Sequence, residues 1–142
     1  MFKRFGIQVL VTIAAVLVSL SSFAHGDHGD QPLAAHLVFK QGALHMHAGF
    51  QSPPVVGKES ILILEAKNPE NHQPVDLNDS VEVALWMPSM GHGSSPVTVE
   101  RLDTGTYRAS EVFFTMKGDW EIRIQLKEGD EVRDQAIVPI TL

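Results

Sequence analysis

The chain has 142 residues, a formal net charge of −6, seven histidines, five methionines and no cysteine. A charge of that sign disfavours nucleic acid and anionic lipid as partners and favours cations or basic protein surfaces. Without cysteine there are no disulfides, so stability must come from an apolar core, and attachment through a lipidated cysteine is excluded.

Residues 1–24 read as a secretory signal peptide. Lys3 and Arg4 make a positive start, Ile7 to Val18 an apolar run broken only by Gln8 and Thr12, and Ser22-Phe23-Ala24 a small-residue cleavage site. The alternative is an uncleaved N-terminal membrane anchor over Phe5 to Phe23, which Ser19, Ser21 and Ser22 weaken. Cleavage predicts a periplasmic or secreted protein, more acidic than the full chain by the loss of Lys3 and Arg4. The remainder is enough for one domain.

His25 to Ala35 (HGDHGDQPLAA) has no apolar period and reads as a flexible His/Asp/Gly leader, so the domain is expected over residues 36–142. From there the pattern has period two. Ile61-Leu62-Ile63-Leu64 is a wholly apolar run of strand type, expected to be buried on both faces. Val81, Val83, Leu85 and Met87 form one apolar face, and Val97 and Val99 alternate with Thr98 and Glu100. A strand over Tyr107 to Phe114 follows an Asp103-Thr104-Gly105 turn. Trp120, Ile122, Ile124 and Leu126 alternate with Glu121, Arg123 and Gln125; the Lys127–Asp130 turn then leads to a closing strand. On it Ala136, Val138, Ile140 and Leu142 face inward, and Pro139 marks an edge or a bulge. No helical period appears after residue 24. The expected fold is all-β, an immunoglobulin-like antiparallel β-sandwich of about seven strands, with a small closed barrel as the alternative.

The segment Met87-Pro88-Ser89-Met90-Gly91-His92-Gly93 carries the chemistry. Thioether sulfur is a soft, neutral donor that suits Cu(I) and serves zinc, calcium or magnesium poorly. Pro88 stops the preceding strand, and Gly91 and Gly93 allow the backbone to fold around a ligand. Met87 also continues the apolar face of its strand and so competes for a place in the core. His45 and His47, two apart, point to one face of a strand while Met46 points to the other, a geometry that permits one metal between two imidazoles. The plain alternative is the polar face of an edge strand. His25 would begin the mature chain, where its amine and imidazole could chelate Cu(II); otherwise it belongs to a solvated leader. Met116 continues the phase of Val112 and Phe114 and is expected in the core, though its turn could place it near the 87–93 loop. His36 and His72 stand alone in the sequence and carry no expectation of a site.

Trp86 to Gly93, then Gly105-Thr106-Tyr107-Arg108, then Phe114 to Ile122 with its Met116-Lys117-Gly118-Asp119-Trp120 turn, resemble the YtkA-like domain family and its FixH-like relatives. The similarity spans about residues 36–142. The resemblance implies an extracytoplasmic β-sandwich, some of whose relatives are implicated in copper delivery during cytochrome oxidase assembly. Carried onto this chain, it makes Met87, Met90 and His92 the ligand candidates, with Met116 as a further one.

The expected function is that of an exported copper carrier or assembly factor. Its cargo is copper, Cu(I) ahead of Cu(II), and its recipient a membrane-bound oxidase or another copper-accepting protein. The alternative is a structural or interaction module of a periplasmic complex with no metal role. No nucleophile elbow, zincin HExxH, phosphate loop or paired acid–base motif is present in the sequence. An enzyme is therefore not expected; a copper oxygenase built on the His25 amine ranks last.

Overall fold

The computed structural model describes residues 34–40 and 44–142, and all their regular elements are β-strands. They are β1 (Ala34–Phe39), β2 (Leu44–Phe50), β3 (Glu59–Lys67), β4 (Ser80–Met87), β5 (His92–Gly93), β6 (Thr98–Asp103), β7 (Thr106–Phe113), β8 (Asp119–Glu128) and β9 (Glu131–Thr141). One antiparallel sheet has the order β1-β2-β3-β7-β6 and the other β5-β4-β8-β9. The described residues thus form an all-β sandwich of nine strands rather than about seven. The two added are β1, which starts inside the span assigned to the leader, and the two-residue β5. Residues 1–33, with the segment read as a signal peptide, His25 and His28, lie outside the described residues.

Alternation builds the core. On β8, Trp120, Ile122, Ile124 and Leu126 are buried, and the register sets Ile124 against Val83 and Ile122 against Leu85 on β4. The facing sheet contributes Leu44, Met46, Ala48 and Phe50 from β2 and Leu62, Leu64 and Ala66 from β3. The rings of Phe50, Phe114 and Trp120 meet edge to face, with centroids 6.1 and 5.6 Å apart. Ile61 and Ile63 correct the expectation of a doubly buried strand: both are only half-buried, because among the described residues no second layer covers the outer face of their sheet. β9 is an edge strand, as Pro139 requires.

Strand β7 changes phase midway. Tyr107 and Ala109 point inward, and so do Val112 and Phe114. Ala109 and Val112 are three positions apart, whereas their partners Leu62 and Ser60 are two apart, so β7 carries one extra residue. Glu111 takes up the bulge at φ 60°, and its N–H donates to the Glu59 carboxylate at 2.8 Å.

The loop between β3 and β4 is bound back onto the sandwich. Asp76 receives two hydrogen bonds of 2.9 Å from Arg101 and a third, also 2.9 Å, from the Gly105 N–H. The Tyr107 hydroxyl accepts from Leu77 N at 3.0 Å. This clasp marks one end of the molecule. The turn after Met87 marks the other, the length of β4 away, about 23 Å at the usual rise per strand residue.

Candidate functional site

Two groups of candidate ligands stand in different places. The first is the hairpin that ends β4. Pro88 removes a ladder donor just after Met87, and the chain reverses at once. The N–H groups of Met90 and Gly91 both donate to the Met87 carbonyl, at 3.1 and 3.0 Å, and Gly91 sits at φ 66°. The chain then returns as β5, with His92 opposite Met87 and Gly93 opposite Trp86. Gly93 is needed for close approach rather than for a positive φ, since a Cβ there would fall 2.8 Å from the Leu85 carbonyl oxygen. Ser94 anchors the hairpin to the other sheet through a 2.6 Å hydrogen bond from its hydroxyl to the Phe113 carbonyl.

Residues directly opposite on antiparallel strands share a face. His92, half-buried, therefore stands beside Met87 on the inward side of the sheet edge. Its Nδ1 lies 3.1 Å from the Gly93 carbonyl oxygen. A carbonyl only accepts, so this contact holds the ring proton on Nδ1 and leaves the lone pair on Nε2. Met90 projects from the turn, 56% exposed. Met87 is buried in the core, 2% exposed, and a Cβ built on Gly118 would lie 3.3 Å from its methyl carbon. The Met116–Gly118 bend thus adjoins the Met87 side chain. Met116 itself corrects its expected core placement. Regular pairing stops at Phe113, the bend turns the chain outward, and the side chain is exposed while its carbonyl accepts the Trp120 indole N–H at 3.0 Å.

The second group lies on the outer face of the five-stranded sheet. His45 and His47 share that face and Met46 is fully buried on the other, but their strand is the second in the sheet and not an edge. The edge is β1, and it brings His36, read in the sequence as isolated, opposite His47. The His36 ring centroid is 4.9 Å from that of His45 and 4.9 Å from that of His47. Alternation of His36 and Val38 with the buried Leu37 and Phe39 was the available signal; the missing piece was pairing with β2. On the far side, Lys67 and Glu65 of β3 stand opposite His45 and His47 and form an ion pair of 3.3 Å. Partial desolvation, followed by the Lys67 and neighbouring histidine charges, holds the His47 pKa below the usual imidazole value. Among the described residues, no three His, Asp or Glu side chains are arranged to hold a metal ion as they stand.

His45 lies opposite Lys67, at the Asp76 end of the molecule and on the outer surface. A histidine from β2 therefore cannot complete the methionine hairpin. His72 sits in the turn after β3, at φ 57°, its N–H donating to the Asn68 carbonyl.

The family model for YtkA-like domains matches residues 40–125, more than half of the chain. The chain belongs to the YtkA-like family. The matched span of this YtkA-like domain includes both the methionine hairpin and the β2 histidines, while His36 and strand β9 fall outside it. No match was found among curated proteins or among solved structures.

Proposed function

We propose that this YtkA-like domain is an exported, non-catalytic copper carrier that takes Cu(I) at the Met87–His92 hairpin. It would hand the ion to a copper-accepting protein, such as a membrane-bound oxidase. The observation that carries this reading is the register, which sets His92 beside Met87 and leaves Met90 at the tip of the same tight turn. Two thioethers and an imidazole nitrogen form a neutral, soft donor set suited to Cu(I). Met116, exposed on the adjoining bend, is the remaining candidate donor. The exposed Met90 gives a recipient protein a ligand to displace first, which suits a carrier better than a permanent site. Export rests on the sequence of residues 1–24.

The test is a Cu(I) competition titration of the wild type, Met90→Leu and His92→Ala, with melting curves alongside. Each variant is expected to bind at least tenfold more weakly. Met90→Leu should leave stability within about 0.5 kcal/mol of wild type, because the side chain lies on the surface. Burial of Met87 favours a second reading, in which the hairpin merely closes the core of an interaction module. Unchanged Cu(I) affinity in both folded variants selects that reading instead.

A further inference from the structure

We infer that His36, His45 and His47 form a second metal site, for a borderline divalent ion of the late first transition row, on the outer face of β1 and β2. The inference stands on the geometry of these strands and does not depend on the methionine hairpin. His36 is the hub. It lies directly across from His47 and diagonally from His45, with both ring centroids 4.9 Å away.

That spacing is what a shared ion requires. A metal about 2.0–2.1 Å from each donor nitrogen lies about 3.2 Å from each ring centroid, so two rings subtending 90–109° stand about 4.5–5.2 Å apart. The rings now meet at interplanar angles of 88° and 56°, packed against each other and not aimed at a common point. Loading therefore calls for side-chain rotation alone, and His36 and His47 are exposed enough to turn. The backbone register already supplies the placement. Imidazole is a donor for Cu(II), Ni(II) and Zn(II), and at a given site Cu(II) binds most tightly of the three. Glu65, opposite His47, offers a carboxylate as a further ligand and balances the positive charge of Lys67.

Such an ion would tie edge strand β1 to β2, because one ligand comes from the first strand and two from the second. Binding should thus slow amide exchange along Ala34–Phe39 as well as raise the melting temperature. The experiment adds Cu(II) alone, below one equivalent, to full-length protein in aerobic buffer and follows side-chain and amide NMR signals. Wild type is compared with His36→Gln, His47→Gln and, as a control, Met90→Leu. All these positions are on the surface, and melting curves check the folds. We expect paramagnetic broadening centred on His36, His45 and His47, with affinity at least tenfold lower in the two histidine variants and unchanged in Met90→Leu. Diamagnetic Zn(II) should slow β1 exchange in the wild type and in Met90→Leu, and in neither histidine variant. Broadening centred elsewhere, or affinity indifferent to both histidine substitutions, overturns the site. Either result leaves the Cu(I) titration of the hairpin unaffected, so the two proposals fail separately.

Discussion

Gly105 shows how much a single position can be constrained. Its φ is 67°, and a Cβ there would lie 2.6 Å from the Ala66 carbonyl oxygen and 2.8 Å from Val75 N. Strain and collision therefore add. Gly105→Ala is expected to destabilise the fold by about 2–4 kcal/mol, measured by denaturant unfolding. The Gly105 turn was readable from Asp103-Thr104-Gly105, but its crowding was not, since the atoms it would strike come from distant parts of the chain. His36 was hidden for the same reason. A lone histidine between apolar residues gives no sign of a partner eleven positions away until the register of β1 and β2 is known. Met116 was misplaced because its phase was extended past the point where β7 ends.

Among the elements, strands whose two faces differ sharply were legible: β8, and β4 through Met87, keep the inward residues that alternation assigns them. Elements that depend on pairing more than on pattern were not. Strand β5 has two residues, too few for a period, and exists because the Met87 turn returns it to β4. The β7 bulge announced itself only as a change of phase. The loop clasp makes the pH behaviour of this region predictable. Hydrogen bonds from Arg101, and then the one from the Gly105 N–H, hold the Asp76 carboxyl below its ordinary pKa. The folded protein thus binds this proton less readily than the unfolded chain. The resulting stabilisation is complete above the unfolded carboxylate pKa of about 3.9 and is lost as pH falls through the lower folded value. Asp76→Asn should melt at a lower temperature than wild type at pH 7, and the difference should shrink below about pH 4. A constant difference across that range would show that the clasp acts through shape rather than charge.

At the scale of the molecule, the core lies between the sheets; of the two candidate groups only Met87 belongs to it, while Met90, His92 and the three histidines of β1 and β2 lie outside it. A core of this extent is expected to form without an ion, and the two proposed sites, on different sheets, are expected to load independently. The placement of the two tryptophans follows the same division. Trp86 immediately precedes Met87 and lies under the Arg123 guanidinium, 4.9 Å from its ring centroid, while Trp120 donates to the Met116 carbonyl. Both indoles belong to the four-stranded sheet, and the sheet bearing the three histidines has none. Intrinsic fluorescence is consequently a directional reporter. Cu(I) at the hairpin should change the emission of a protein that still melts cooperatively after chelation, whereas Zn(II) on the histidine face should leave the spectrum as it was. An emission change with Zn(II) that His36→Gln abolishes would mean that the sheets communicate. A fluorimeter can thus tell, without any added label, which end of the molecule has been occupied.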